Sequence, residues 1–113
     1  MRILIVDDNE DTRTLLCMGL VRDGIEARAV GTVGDARALF AQEHFDAILT
    51  DWNLSDATAQ SLLDVIGDCP AVILTGDEDA LAITWPLHVC ALKKPAPLAS
   101  VIAALSKHRP RQA

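Results

Sequence analysis

No apolar run in this chain of 113 residues approaches the length of a bilayer: the longest stretches are strand-sized or interrupted by charge, whereas a membrane-spanning helix needs about 20 apolar residues. Met1-Arg2 leads directly into a strand-like run and not into a secretory leader, so a cytoplasmic location is expected. A basic face is missing too. Ten Lys and Arg stand against sixteen Asp and Glu, a net charge of -6, which opposes both nucleic acid and anionic membranes. The one basic cluster is a short tail, Lys107-His108-Arg109-Pro110-Arg111. Cys17, Cys69 and Cys90 are odd in number with no CxxC spacing, which argues against a disulfide framework and fits reduced thiols buried as small hydrophobes. His44, His88 and His108 share no metal-ligand spacing, and no internal repeat or low-complexity tract is present.

What remains is ample for one core. With 50% hydrophobic and 23% charged residues, the chain should fold as a single domain. Short apolar runs alternate with amphipathic segments, which is the pattern of repeated βα units. Strands are expected at residues 2–6, 26–30, 47–50, 71–74 and 89–93. Helices are expected at 10–22, 32–42, 56–66 and 97–107, with a short fourth helix from near Glu78 that Pro86 must stop. Leu15, Leu16, Met18, Gly19 and Val21 are assigned to the inward face of the first helix. Thr32 caps the second, whose Ala36, Leu39 and Phe40 face the sheet. Leu98, Val101, Ile102 and Leu105 have helical spacing in the last. The expected architecture is α/β: a doubly wound five-stranded parallel sheet, a flavodoxin-like (βα)5 three-layer sandwich over residues 1–106, with a basic tail at 107–113.

Right-handed crossovers place every strand end that precedes a helix on one edge of such a sheet, the edge where open α/β sheets bind ligands. Asp7, Asp8, Asp51, Thr75 and Lys94 each follow an apolar run and so gather there. Taken singly, Asp7-Asp8 reads as a helix N-cap beside a solvated acid, and Thr75 as a hydroxyl bonded to nearby backbone. Together they describe a site. Three close carboxylates repel by about 4 kcal/mol per pair at an effective dielectric near 20, which a divalent cation relieves. Oxygen donors without His or Cys favour magnesium over zinc. A carboxylate can attack phosphorus only when its like-charged neighbours are screened, and Lys suits a point contact with a phosphoryl oxygen. Lys94 is chosen over Lys93 because it precedes Pro95; Lys93 is expected in solvent. Trp52 and Trp85 are surface candidates. Trp52 either shapes access to Asp51 or packs on its loop, and Trp85 is either a core plug or a partner contact.

The set Ile3-Leu4-Ile5-Val6-Asp7-Asp8, Asp51-Trp52-Asn53-Leu54, Leu74-Thr75-Gly76 and Lys94-Pro95 resembles the response-regulator receiver domain over nearly the whole chain. The resemblance implies a phosphoprotein switch of a two-component system. Asp51 would accept a phosphoryl group from a phosphohistidine of a sensor histidine kinase or histidine phosphotransfer protein. Mg2+ would be held by Asp8, Asp51 and the backbone carbonyl of Asn53, with Asp7 acting through a water. Lys94 and Thr75 would contact the phosphoryl group, and the output would be binding to a downstream protein, by a stand-alone domain that is not an enzyme in purpose. Rival readings are a phosphorelay shuttle, a pseudo-receiver that binds without phosphate, and a phosphatase of the haloacid dehalogenase type. The last has its nucleophile on the first strand, the reverse of the order here.

The chain departs from that family in three places, one of them the stretch between Thr75 and Lys94, which is short and broken by Pro86. Ser55 and Ala59 replace the Pro and Gly of the turn after the acceptor, which should change loop stiffness. Ala91 stands where a Tyr or Phe reports the state of the Thr, and the chain has no Tyr; the loop and short helix from Gly76 to Pro86 are the expected substitute element. Asn53 and Asp77 are small polar residues at positions that govern water access, so quick self-dephosphorylation is expected.

Overall fold

The sheet has five parallel strands, β1 (Arg2–Val6), β2 (Glu26–Val30), β3 (Ala47–Asp51), β4 (Ala71–Thr75) and β5 (Val89–Lys93), in the order β2-β1-β3-β4-β5. The computed structural model describes residues 1–107, so the tail from His108 onward lies outside the described residues. Five helices connect the strands: α1 (Glu10–Arg22), α2 (Val33–Gln42), α3 (Gln60–Leu63), α4 (Glu78–Leu81) and α5 (Leu98–Ser106). The doubly wound architecture expected from the alternating pattern is the one observed.

Central strands read as continuous apolar runs because both of their faces are covered. Leu4, Val6, Ile48 and Ile73 point to one side, where Val33 and Ala36 of α2 and Leu62 of α3 close over them. Ile3, Ile5, Leu49 and Val72 point to the other, against Leu20 of α1 and Val101, Ala104 and Leu105 of α5. Strand β2, at the edge, has no fully buried residue.

Two helices differ from expectation. In α1 the buried arc is Leu16, Cys17 and Leu20, while Leu15, Met18 and Val21 face solvent. At about 100° per residue the two trios occupy opposite arcs, and a helix with apolar residues on both offers no contrast from which to choose. Gly19 meets α5, where an added Cβ would come within 2.3 Å of the Leu98 side chain. The third helix is one turn and not the expected eleven residues, because the segment before it is occupied otherwise. Asp56 accepts from the backbone N–H groups of Val33 and Gly34, both at 3.0 Å. Ala59 N–H donates to Trp52 O at 2.8 Å, and Asn53 bridges Thr58. This staple fixes the loop that the missing Pro and Gly would otherwise stiffen.

Those two bonds hold the Asp56 carboxyl below its ordinary value of 3.8. A depressed folded-state pKa contributes stability that is complete above the unfolded value and is lost as pH falls through the folded one. Asp56→Ala is therefore expected to melt below the wild type at neutral pH, and the two melting curves should converge as pH drops below about 3.8. A gap that stays constant down to acid pH would assign the effect to packing instead.

At the opposite edge, where the strands begin, Arg2 closes its own electrostatics. Its guanidinium pairs with Glu43 and, at 3.5 Å, with Glu26; it donates to His44 O at 2.9 Å and lies 4.8 Å from the centroid of the Phe45 ring. Glu43 also pairs with Arg28 at 2.8 Å. The cysteines are free and half-buried, less enclosed than expected, and burial pushes the Cys69 thiol up to about 11. Lys93 is exposed, as expected, and pairs with Glu78 at 2.8 Å.

Candidate functional site

The exits of β1, β3, β4 and β5 bring the acids, the hydroxyl and the ammonium to one edge. Asp7 is 4% exposed and Asp8 is open to solvent. Neither caps α1. That role falls to Asn9, whose side chain accepts from Thr12 N–H at 2.9 Å. The capping interpretation of the acid pair is thereby removed, and Asp8 keeps its carboxylate free of that bond. The buried Asp7 accepts from Asn9 N–H at 2.9 Å. Its carbonyl takes a 2.7 Å bond from the Arg13 guanidinium. Arg13 has room because the facing residue is Gly31, where a Cβ would stand 2.9 Å from Nη1. Arg13 was not legible in the sequence: it meets backbone, and no motif spacing marks such a contact.

Asp51 closes β3 with its side chain 13% exposed, and Lys94 Nζ lies 2.7 Å from its Oδ1. Burial raises the Asp51 carboxyl pKa above its ordinary value; the Lys94 bond and charge oppose this, and Asp7 and Asp8 add to the rise. Asp7, Asp8 and Asp51 each offer an oxygen within 4.8 Å of the others. Thr75, 2% exposed, accepts from Asp77 N–H at 2.9 Å through its hydroxyl oxygen, a bond that leaves the hydroxyl proton available to donate. Lys94 N–H donates to Thr75 O at 2.9 Å, and Lys94-Pro95 is a cis peptide. A cleft of about 440 Å³ lined by Asp7, Thr12, Leu16, Lys94, Pro95 and other residues opens beside the site. It gives a path to the acids from between α1 and the segment after β5.

Asn53 is exposed and bridges Thr58 through its backbone. Trp52 and Trp85 take the packed of the two alternatives offered for each: both are half-buried, and their rings pack together with centroids 5.5 Å apart at 69°. Nothing in the sequence pairs two residues so far apart in the chain.

The donor set fits a small hard cation: three carboxylate oxygens converge with no imidazole or thiolate among them, which is magnesium chemistry and not that of zinc. An acid triplet, a lysine and a hydroxyl at the carboxyl edge of a 2-1-3-4-5 sheet define a receiver-type α/β domain.

Comparison with known proteins agrees. No family model matches the chain. The response regulator protein PilR of Pseudomonas aeruginosa is 42% identical over 65 residues, which is 58% of this chain and 15% of PilR. The chain thus spans less than a fifth of the length of that relative. A sensor protein from Polaromonas sp. JS666 superposes with a TM-score of 0.84 at 27% identity, over 95% of this chain and 94% of that one. A response regulator receiver domain protein from Clostridium thermocellum, at 20% identity, shares the fold with a TM-score of 0.83 over 95% and 92% of the two chains. In fold, and over part of its sequence, the chain thus resembles the receiver domains of two-component response regulators.

Proposed function

We propose that this domain accepts a phosphoryl group on Asp51 from a phosphohistidine of a sensor histidine kinase or histidine phosphotransfer protein, and that the modification switches its binding to a downstream protein. The observation that carries the reading is the placement of Asp51: half-buried, 2.7 Å from Lys94 and within 4.8 Å of Asp7 and Asp8. Mg2+ would be held by Asp8, Asp51 and the carbonyl of Asn53, with Asp7 acting through a water. When bound, it would neutralise charge on the acids and on the transferring oxygens.

The chain's own residues do the rest. An Asp51 oxygen attacks phosphorus as the bond from phosphorus to the donor imidazole nitrogen breaks, and that nitrogen departs as neutral imidazole once protonated. Lys94, already at the acceptor, offsets negative charge on the incoming group without having to move far. Thr75 can turn its hydroxyl proton toward a phosphoryl oxygen. Asn53 and Asp77, both small, leave water a route to the acyl phosphate, so the phosphorylated form is short-lived. Among the described residues no helix is long and apolar enough to cross a membrane, and the reading places the receiver at residues 1–106 in the cytoplasm.

Incubation of the whole chain with Mg2+ and either acetyl phosphate or a phosphorylated kinase is expected to add one phosphoryl group by intact mass, and none when the metal is chelated. Failure with every competent donor would overturn the proposal in favour of a binding module that works without phosphate, the alternative that Ala91 favours.

A further inference from the structure

We propose that Trp85 is the residue that reports phosphorylation in this domain, moving with the segment after α4 in place of the aromatic side chain that β5 lacks at Ala91. The inference rests on Asp51 being the acceptor, and it begins at Thr75. The hydroxyl oxygen that would turn to a phosphoryl group is the one that holds Asp77 N–H. Asp77 in turn caps α4, its Oδ1 accepting from Asp79 N–H at 2.9 Å and Ala80 N–H at 3.4 Å. A movement of Thr75 that displaces this oxygen, and not the proton alone, therefore disturbs the start of a helix only four residues long. So short a helix has little stability of its own, and it runs directly into the loop that carries Trp85.

Trp85 is placed to move. Its indole ring packs edge-on to Trp52, the residue next to the acceptor, and both rings lie against the same half of the core as Ala91. Its Nε1 is buried without a hydrogen-bond partner among the described residues. An orphaned buried N–H carries an unrepaid desolvation cost, so a position in which it meets water or a carbonyl is favoured. Space for such a position exists: a cavity of about 320 Å³ adjoins the ring, lined by Gln60, Leu63, Ile83, Trp85, Pro86 and His88 among others. Ile83 and Leu87, on either side of Trp85, are solvent-facing. A shift of the indole thus changes the outer surface of the domain, as a two-state element must if its state is to be read.

Fluorine NMR of the whole chain labelled with 5-fluorotryptophan gives two resonances, assigned with Trp52→Phe or Trp85→Phe, whichever folds, and every sample is also weighed by intact mass. With Mg2+ alone the Trp85 resonance is expected to stay in place. With Mg2+ and acetyl phosphate it should move in proportion to the phosphorylated fraction. A sample that carries the phosphoryl group by mass but keeps an unmoved Trp85 resonance overturns this inference and leaves Asp51 as acceptor. A full shift with Mg2+ alone also overturns it, because Trp85 would then follow the metal. No gain of mass removes the acceptor reading, and this inference with it.

Discussion

Asp51→Asn is expected to take up no phosphoryl group from any donor and, in metal-free buffer, to melt above the wild type. Loss of labelling follows from the loss of the nucleophile, since an amide has no carboxylate lone pair to form the acyl phosphate. The gain in stability follows from the same surroundings. Burial and the charges of Asp7 and Asp8 outweigh the attraction of Lys94, so the Asp51 carboxyl pKa is raised. A carboxyl whose pKa is higher in the folded state disfavours folding once ionised. Its penalty is fully present above the raised pKa and fades as pH falls through the unfolded value near 3.8. Asparagine keeps the shape without the charge. A gain on the order of 1 kcal/mol would raise Tm by roughly 4 °C in a domain of this size, and the gap should close toward acid pH. Magnesium is expected to stabilise the wild type more than the variant, because only the wild type has the full acid triplet. Thermal melts across pH, with and without Mg2+, measure both effects. An Asn variant that melts lower at neutral pH would show the carboxylate to be a net contributor to the fold.

Lys94→Ala should leave the acids and their metal preference in place yet slow phosphoryl uptake by roughly 10²–10³-fold, the usual loss when one preorganised electrostatic contact to a reacting group is removed. The ammonium lies 2.7 Å from Asp51 Oδ1 and its side chain is 41% exposed. Its removal therefore leaves no sealed cavity, and a large change in Tm is not expected. The rate of labelling by acetyl phosphate under saturating Mg2+ is the direct readout. A merely structural lysine would instead lower Tm while sparing the rate at temperatures where the variant stays folded.

How much of this could be seen in the sequence depended on whether an element's signal was local. The central strands were legible to within a residue because parallel strands covered on both faces are unbroken apolar runs, as in Ile3-Leu4-Ile5-Val6 and Ala71-Val72-Ile73-Leu74. Once the strands were fixed, topology alone carried Asp7, Asp8, Asp51, Thr75 and Lys94 to one edge. Local signals failed where a side chain acted at a distance. Asp56 looks like the start of a helix, yet it caps α2, 22 residues away from Gly34 in the chain, and α3 is shortened accordingly. Arg13 meets a backbone carbonyl, and the Trp52 and Trp85 rings meet only because the fold brings β3 and the loop before β5 together. Leu15, Met18 and Val21 misled for another reason: α1 has apolar residues on every side, so the inward arc is decided by what α5 and the sheet present to it.

The two ends of the sheet answer to different reagents. Where the strands begin, Arg2 stands among Glu26, Glu43 and the Phe45 ring, and the charges there are settled within the protein. Where the strands end, three acids face Lys94 among the described residues, and the remaining negative charge favours a cation from outside. Sensitivity to a divalent cation is thus expected at one rim of this molecule, and the opposite rim, paired within itself, is the scaffold against which it can change.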